Sequence, residues 1–215
     1  LGHIFDIFAA AGKEIYLGGA GARNILSGKV PVNCDLTTDA APEETLKICV
    51  EYEPYYENEF GMVGVPVKGE VYEITTYRSE KGYSDFRRPD EVTWGKTLAE
   101  DVTRRDFTMN AVVIGRLPPS RDATEGQGKN PKQEFEVIDP VDGIKDFEEG
   151  IIRTVGNPEE RFGEDALRMM RAVRFAATLG FQIEMGTLEA ISKRAPLLAK
   201  ISRERVRDEL MKIVG

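Results

Sequence analysis

The spacing of apolar and polar residues predicts a mixed α/β arrangement in the first half of the chain. Residues 3–12 have the apolar spacing of a helix that stops at Gly12, and the EIYL that follows is typical of a short strand leading into glycines. A second helix is predicted over Ala22–Ser27, and CDLTT is predicted to be a strand. Short helices and strands therefore alternate, which favours a mixed α/β domain.

One further helix and a strand pair extend this domain. APEETLKIC carries a proline and two acids where the first turn of a helix would lie, and these residues suit that position. GMVGVPV and VYEITTYR are typical of two paired strands, and Gly69 between them is suited to the turn.

The pattern becomes helical after residue 156, apart from the brief FQIE. The segment from Glu159 to Gly180 predicts one uninterrupted helix that ends at the glycine. Two further helices are predicted around MGTLEAISKRA and SRERVRDELMKIV. No internal repeat is present, so the second half is predicted to be a small helical bundle without strands of any length.

Two features mark the organisation of the chain. Residues 118–133 are polar and rich in Pro and Gly, which predicts a mobile insertion between two strands. The change of pattern places a domain boundary near Gly150. We therefore predict a first domain over residues 1–149 and a helical domain over residues 150–215.

Composition excludes several classes of protein. With 41% hydrophobic and 31% charged residues among 215, the chain has the composition of a soluble globular protein. It has no apolar run of about eighteen residues, and its first residues lack the pattern of a signal peptide, so we expect a cytoplasmic protein that does not enter a membrane. One histidine and two cysteines are too few for a zinc site or a disulfide framework, and both cysteines are predicted to be reduced and buried.

The net charge of −8 hides a difference between the two halves. Residues 151–215 have 12 Lys and Arg against 9 Asp and Glu, a net charge of +3, whereas residues 1–150 have 17 against 28, a net charge of −11. An acidic first part suits a domain that holds metal ions, and a mildly basic second part could face a nucleotide or RNA.

A glycine-rich turn precedes the second predicted helix. Gly18, Gly19 and Gly21 leave backbone N–H groups bare at a helix start, where they and the helix dipole can hold a triphosphate. Arg23 could reach phosphate oxygens from the first helical turn. The alternative is an ordinary tight connection without a ligand, because glycine turns are common.

Three residues form the candidate metal site. Asn33 and Asp35 are two apart in a predicted strand and share a face, while Cys34 points into the core. Glu73 could add a second carboxylate from a neighbouring strand, although it could also be an ordinary exposed strand residue. Phosphoryl transfer by two metal ions needs oxygen ligands of high negative charge, and Asn33 contributes an oxygen without charge.

The segment EDVTRRDFTMNAVVIG has the inventory for a nucleotide. Asp106 can accept hydrogen bonds from ribose hydroxyls, Arg104 and Arg105 can bind phosphates, and Asn110 can position either group. The alternative is a solvated charged turn.

A second candidate nucleotide site lies in GEDALRMMRAVRF. Helical spacing places Glu164 and Asp165 on the same face as Arg168, where an acid and a guanidinium can imitate a base edge. A surface helix with salt bridges is the alternative. The residues predicted to pack inward from this helix are Leu167, Met170 and Val173.

In this order the motifs resemble the bacterial-type tRNA nucleotidyltransferase and poly(A) polymerase family, the class II branch of the polymerase-beta-like superfamily. The resemblance spans nearly the whole chain, and its most specific parts are residues 73–111 and 150–181. It implies a nucleotidyltransferase head with a mixed sheet, a helical neck with base-recognising Asp165 and Arg168, and body and tail domains that grip tRNA. This chain stops at the neck, so we expect weak RNA binding.

The resemblance gives one set of nucleotide-binding residues, comprising Gly18, Gly19, Gly21, Arg23, Asn24, Arg104, Arg105, Asp106, Asn110, Glu164, Asp165, Arg168 and Arg171. It gives Asp35, Asn33 and Glu73 as catalytic ligands of Mg²⁺. This sequence departs from the family pattern at two positions, where Asn24 and Asn33 stand in place of acids. The change at Asn33 concerns metal binding and catalysis and leaves the nucleotide-recognition motifs intact.

The function predicted from the resemblance is CCA addition, the transfer of CMP and AMP from CTP and ATP to the 3′ end of tRNA. Alternatives within the same class are a poly(A) polymerase and a CC-adding or A-adding enzyme. The alternative from another class is a non-catalytic nucleotide-binding module, which would follow if Asn33 in place of an acid prevents catalysis. No stable protein partner is expected.

Overall fold

The computed structural model describes residues 1–31, 34–58, 61–81, 91–94, 97–116 and 135–214. The chain folds into two compact units. The sheet unit comprises residues 1–77, 94–100 and 112–139, and the helical unit comprises residues 78–93, 101–111 and 140–215. Asn33 and the predicted insertion at residues 118–133 lie outside the described residues, so their predicted structures stay predictions.

The strands in the described residues are β1 Ile15–Leu17, β2 Asp35–Thr38, β3 Tyr55–Asn58, β4 Met62–Val67, β5 Glu70–Thr76, β6 Arg78–Lys81, β7 Glu91–Trp94, β8 Val113–Arg116, β9 Phe135–Ile138, β10 Ile151–Ile152 and β11 Gln182–Ile183. The helices are α1 Gly2–Ala10, α2 Gly19–Leu26, α3 Pro42–Ile48, α4 Leu98–Thr103, α5 Gly143–Glu148, α6 Pro158–Glu164, α7 Leu167–Leu179, α8 Met185–Arg194 and α9 Arg203–Val214. Short 3-10 turns lie at Val50–Tyr52, Thr108–Asn110 and Ala195–Lys200. Within these ranges no helix has the length and apolar character that crossing a membrane requires.

Seven of the described strands form one mixed sheet, in the order β3-β4-β5-β2-β1-β8-β9. Its neighbouring strands are antiparallel except β2 and β5, which are parallel. The predicted strand pair is confirmed as β4 and β5, and the turn between them contains Gly69 with φ +88°. The mixed sheet predicted for the first part of the chain is therefore confirmed.

An apolar core stabilises the sheet unit. Phe5 and Phe8 of α1 are almost fully buried, in one cluster with Leu17, Leu36 and Ile74 of the central strands. Burying a side chain of this size contributes about 1.5–3 kcal/mol, so α1 is fixed on the sheet by its apolar face. The two cysteines are buried and unpaired with each other, as predicted.

A second apolar core lies in the helical unit, where the RRD segment, residues 101–111, packs against α7. Phe107 packs edge-on against Phe175 of α7, with ring centroids 5.8 Å apart. The backbone N–H of Val155 donates to the carbonyl oxygen of Asp106, and the N–H of Thr108 donates to that of Arg153. Residues 101–111 thus belong to the same compact unit as residues 140–215, although they precede the predicted boundary near Gly150. The division into head and neck at that boundary stays a prediction.

The prediction of one uninterrupted helix over Glu159–Gly180 is wrong. The helix breaks at Asp165, whose backbone is extended with φ −135° and ψ 105°, and continues as α7 until Gly180 in the left-handed region. The carboxylate of Asp165 accepts a hydrogen bond from the backbone N–H of Leu167. This local bond competes with helical backbone pairing, which explains a break that apolar spacing does not reveal.

One of the three residues predicted to pack inward from α7 is exposed. Leu167 is buried and Met170 is partly buried, but Val173 is 44% exposed. The buried face of α7 is instead formed by Met169, Ala172 and Phe175. Each residue turns about 100° around a helix, so Val173 lies well off the face that Ala172 defines.

Candidate functional site

The glycine-rich turn connects β1 directly to α2. Gly18 is the N-cap residue of α2, and its backbone N–H donates to the carbonyl oxygen of Asp35. The helix starts at Gly19, three residues before the predicted Ala22. Arg23 and Asn24 are half-buried and lie in its second turn, so the prediction that Arg23 belongs to the first turn is wrong.

Two of the glycines are required by close contacts. Gly19 has φ +57°, and a Cβ atom there would lie 3.2 Å from Oδ2 of Asp35. A Cβ atom at Gly21 would lie 2.7 Å from Cδ1 of Leu17, so α2 could not pack as closely on β1 with any other residue. The glycines thus bring a helix start up to the carboxylate of Asp35.

The predicted catalytic carboxylates are neighbours in the sheet. Asp35 of β2 and Glu73 of β5 are direct partners in the parallel register. The residues that follow them, Leu36 and Ile74, are also partners and are buried in the core. Since side chains alternate along a strand, Asp35 and Glu73 share the opposite face, and both are exposed.

The described residues contain two of the three predicted metal ligands. Carboxylate oxygens on adjacent strands suit a hard cation, and the absence of a side chain at Gly19 leaves room beside Oδ2 of Asp35. Among the described residues, no group of three or more His, Cys, Asp or Glu side chains could hold a metal ion. Whether a third oxygen comes from Asn33 stays a prediction.

In the helical unit, Asp106 is held by three hydrogen bonds and a further ion-pair contact. Its Oδ1 accepts from the backbone N–H of Phe107 and from Nδ2 of Asn110, each at 2.8 Å. Its Oδ2 accepts from Nε of Arg171 at 2.7 Å, and Nη2 of the same guanidinium lies 2.7 Å from Oδ2 as an ion-pair contact. A carboxylate has about four acceptor positions, so Asp106 is fully engaged and fixes the side chains of Asn110 and Arg171. Its predicted role in accepting from ribose hydroxyls would require one of these bonds to exchange.

The surroundings of Asp106 favour its ionised form. Burial alone would raise the pKa of Asp106, but the charge of Arg171 and the hydrogen bonds from Asn110 and Arg171 outweigh burial and hold this pKa below its usual value. The same carboxylate raises the pKa of Arg171. The two groups therefore form an ion pair that links the RRD segment to α7.

This lowered pKa predicts a specific acid sensitivity. In the unfolded chain an Asp has a pKa of about 3.9, above the lowered pKa of Asp106 in the folded protein. The stabilisation from ionised Asp106 should therefore be complete above about pH 5 and should be lost as the pH falls through the folded pKa. The difference in the free energy of unfolding between wild type and Asp106→Asn should therefore shrink as the pH falls from about 5 to about 2. Urea unfolding at several pH values measures this difference. A constant difference over that range would contradict the lowered pKa.

Arg104 and Arg105 both contact a buried acid that the sequence analysis did not single out. Asp101 accepts from Nε and Nη2 of Arg104 through Oδ1, and from Nη2 of Arg105 through Oδ2. Burial would raise the pKa of Asp101, but the two arginines hold it below its usual value. Nη1 of Arg105 also donates to the carbonyl oxygen of Asn110. The two arginines are thus positioned by one buried acid.

Asp165 occupies the break between α6 and α7. Its Oδ1 accepts from the N–H of Leu167 at 3.0 Å, and its Oδ2 accepts from Nη2 of Arg205 at 3.1 Å. Each oxygen has two acceptor positions, so these two contacts leave one position on each oxygen. The carboxylate is therefore oriented from both sides, and its role in accepting from a base stays a prediction.

Arg168 is fixed by the elements around it. Its Nη1 donates to Oε2 of Glu164 at 2.6 Å and to the carbonyl oxygen of Arg161, and its Nη2 donates to the carbonyl oxygen of Arg104. Glu164 also pairs with the side chain of Arg161. Glu164 therefore orients the guanidinium of Arg168, whereas Leu167 and Arg205 orient the carboxylate of Asp165. A surface salt-bridge helix, the alternative interpretation, would not need the partly buried carbonyl contacts of Arg168.

The sequence analysis missed two residues that form ion pairs with the predicted site residues. Asp101 precedes the RRD motif by three residues, and its spacing to Arg104 and Arg105 could have indicated an ion pair on one helical face. Arg205 is forty residues from Asp165, and no local pattern could have paired them.

Two family models match the chain. Residues 15–153 match the poly A polymerase head domain. Residues 180–214 match a family described as the probable RNA- and SrmB-binding site of polymerase A. The first match covers more than half of the chain, including the sheet unit's β1–α2 turn, the β2 and β5 carboxylates and the RRD segment.

Comparisons with individual proteins, by sequence and by structure, agree with the family models. The chain is 45% identical over 213 residues to the CCA-adding enzyme of Lactiplantibacillus plantarum, a match that covers 98% of this chain and 47% of that protein. The structure is similar to that of Bacillus stearothermophilus CCA-adding enzyme in complex with CTP, with TM-score 0.77 and 36% identity over 99% of this chain and 47% of the other. A tRNA nucleotidyltransferase complexed with a primer tRNA and an incoming ATP analog has TM-score 0.73 and 26% identity, covering 97% of this chain and 55% of the other. The chain thus spans about half the length of these relatives.

Proposed function

Because the chain belongs to the poly A polymerase head domain family, we propose that it carries the catalytic and base-selecting parts of a template-independent RNA nucleotidyltransferase. The proposed reaction adds CMP and AMP from CTP and ATP to the 3′ end of tRNA. The observation that carries the reaction class is the in-register pairing of Asp35 with Glu73 beside the start of α2. The choice of CTP, ATP and tRNA is supported by the similar proteins, which are CCA-adding enzymes and a tRNA nucleotidyltransferase.

In the proposed reaction the 3′ oxygen of the RNA forms a bond to the α-phosphorus of the nucleotide, and the bond to the β-phosphate oxygen breaks. The hydroxyl proton is released, and pyrophosphate leaves. Backbone N–H groups at the start of α2 are placed to bind a phosphate, because they are bare and lie at the positive end of the helix dipole.

We propose that Asp35 and Glu73 would hold Mg²⁺, with the oxygen of Asn33 as a third ligand. When bound, Mg²⁺ supplies positive charge that neutralises the triphosphate and makes the attacking hydroxyl more acidic. The two carboxylates are exposed, come from adjacent strands and offer the oxygen atoms that this ion prefers. A Cβ atom at position 19 would lie 3.2 Å from Oδ2 of Asp35, so glycine avoids crowding this oxygen.

Base selection is proposed to be a property of the helical unit. The carboxylate of Asp165 would accept from the exocyclic amine that cytosine and adenine share, and Arg168 would donate to a ring nitrogen or carbonyl of the base. CTP and ATP should therefore bind more tightly than UTP and GTP. The fixed group formed by Asp106, Asn110 and Arg171 would position the sugar, so we expect ATP to bind more tightly than dATP.

The experiment that tests this function is incorporation into a tRNA that ends before its CCA sequence. It uses the longest natural chain that carries this sequence, with CTP alone, ATP alone and both together. CCA addition predicts two C residues with CTP alone and a completed CCA end with both nucleotides. Long A tracts with ATP would instead identify a poly(A) polymerase, and stopping after CC or requiring a CC end would identify a partial enzyme. The absence of Mg²⁺-dependent incorporation in every reaction would contradict an active enzyme.

A non-catalytic nucleotide-binding module is the second candidate function. The observation that favours it is Asn33, which removes one negative charge from the proposed metal site. Such a module would bind CTP and ATP with the same selectivity and would incorporate neither.

The substitution Gly19→Ala should lower incorporation by about fivefold more than Gly12→Ala. Both glycines have positive φ, near +57° and +70°, so both substitutions carry a similar backbone cost of about 1 kcal/mol. Only at position 19 does the new Cβ meet a functional group, Oδ2 of Asp35, whereas a Cβ at Gly12 has no heavy atom within 4 Å. Misplacing a catalytic group by a fraction of an ångström is enough for such a loss.

Single-turnover rates, with thermal unfolding of both variants, measure this effect. Equal losses of incorporation in the two variants would mean that the Gly19 contact with Asp35 has no part in the reaction.

A further inference from the structure

Asp165 is connected by an ion pair to an element distant in sequence. Nη2 of Arg205, in the first turn of α9, donates to Oδ2 of Asp165 at 3.1 Å. The two side chains are 25% and 18% exposed, so the pair is largely shielded from water. The charge of Arg205 therefore acts on the carboxylate more strongly than a surface pair would.

The position of Arg205 is itself fixed by a second ion pair one helical turn further along α9. Glu209 is 3% exposed, and its Oε1 lies 2.5 Å from Nε of Arg174 on α7. Residues four apart lie on the same helix face, so Arg205 and Glu209 form their ion pairs with Asp165 and with Arg174 of α7 from one face of α9. The guanidinium of Arg174 also lies over the ring of Phe175, 4.4 Å from its centroid. These contacts hold α9 against α7 at the level of Asp165.

Arg205 is not optimised for stability alone. Its other terminal nitrogen, Nη1, is buried and has no hydrogen-bond partner among the described residues. A buried donor without a partner costs about 1–3 kcal/mol. A guanidinium that makes one contact and leaves another donor unsatisfied is a costly way to join two helices, so stability alone does not explain Arg205.

We propose that Arg205 is a positioning residue that sets nucleobase selectivity through Asp165, an inference that rests on the proposed function. An isolated carboxylate rotates readily about its last torsion angle, because that torsion has a broad energy profile. With Oδ1 bonded to the N–H of Leu167 and Oδ2 bonded to Arg205, the carboxylate of Asp165 has one orientation. Its remaining acceptor positions then favour the amine of cytosine or adenine and repel the carbonyl oxygen that uracil or guanine presents instead.

The test measures equilibrium binding of CTP, ATP, UTP and GTP to this 215-residue chain by calorimetry. Arg205→Met keeps the length of the side chain and removes its donors and charge. It should reduce the preference for CTP over UTP, and for ATP over GTP, by at least about fivefold. Affinity for inorganic tripolyphosphate should change less than twofold, because a triphosphate without a base has no contact with Asp165. Arg207→Ala is the matched control, since Arg207 is exposed on the same helix and forms its ion pair within the described residues with Asp208. Its selectivity should equal that of wild type.

Two further measurements separate positioning from general structural damage. Arg205→Lys should recover part of the selectivity, because the contact to Asp165 involves one nitrogen atom that an ammonium group can replace. In an Asp165→Ala background, Arg205→Met should cause no further loss of selectivity, because its effect passes through the missing carboxylate. Thermal unfolding establishes that each variant is folded.

Wild-type selectivity in Arg205→Met, or a further loss in the Asp165→Ala background, would overturn the proposal and leave the proposed function intact. Absence of selectivity in the wild-type chain would overturn the proposed function, and this inference with it. If Arg205→Met does not fold, Arg205→Lys and its combination with Asp165→Ala carry the same comparison.

Discussion

Replacing Asn33 with aspartate should raise nucleotide incorporation into tRNA by at least about a hundredfold. The reason is electrostatic, because the site must balance divalent cations against a triphosphate with only Asp35 and Glu73 as charged ligands in the proposed set. A third carboxylate would act mainly on charge that develops in the transition state, and groups of this kind typically change rates by two to three orders of magnitude. Single-turnover incorporation with Mg²⁺, in the longest natural chain that carries this sequence, measures the gain.

The control for Asn33→Asp is Asn157→Asp. Asn157 caps α6 by accepting from the backbone N–H of Glu159, and aspartate caps helices equally well. The control thus makes the same chemical change away from β2 and should leave incorporation unchanged. Binding of CTP without metal should also be little affected by Asn33→Asp, because the proposed base and sugar contacts lie in the helical unit. Equal incorporation with Asn and Asp at position 33 would mean that the metal ions are held in another way, and the proposed catalytic site would be wrong.

Replacing Asp165 with asparagine should reduce the preference for CTP over UTP by at least about tenfold. The structure shows a carboxyl group held on both oxygens, by Leu167 and Arg205, and asparagine would keep the shape while replacing one acceptor oxygen with a donor. An amide can also donate to the carbonyl oxygen of uracil, which the carboxylate repels. Discrimination by hydrogen bonds to a base edge is worth about 1–3 kcal/mol, which is the order of the expected loss.

The matched control for Asp165→Asn is Asp208→Asn. Asp208 is exposed on α9 and pairs with its neighbour Arg207, so its substitution tests the same loss of charge without any proposed contact to a base. Calorimetry with CTP and UTP compares the two variants. Unchanged selectivity in Asp165→Asn would remove this residue from base recognition, whereas a loss of selectivity in both variants would assign the effect to net charge.

The structure changes how the recognition motifs are understood. Helical spacing suggested that Glu164, Asp165 and Arg168 act from one face of one helix. Asp165 instead stands at a break and is oriented by Arg205, while Glu164 holds Arg168. The acid and the guanidinium are therefore positioned by separate partners, and each can be altered without removing the other's support.

The sequence by itself determined the elements whose signals are local. Alternating and helical apolar spacing located β1, the β4–β5 pair, α8 and α9, because burial of one face repeats at a fixed interval along the chain. It also determined the chemistry that the motifs offer, since the residue types in RRDFTMN and GEDALR limit which hydrogen bonds can form. Strand spacing made Asp35 and Glu73 candidate metal ligands, and the resemblance to a family added their predicted role in catalysis.

Only the tertiary structure decided which distant groups meet. The parallel register of β2 and β5 places Asp35 beside Glu73, and packing of Phe107 on Phe175 brings Asp106 to Arg171. Val173 was mistaken for a core residue because apolar character alone does not fix which face of α7 is covered. The contact of Arg205 with Asp165 has no sequence signal at all, because forty residues separate them and α9 is held in place by its packing and by the ion pair of Glu209. The chemistry of each motif follows from its residue types, whereas contacts between residues distant in sequence depend on how helices and strands pack.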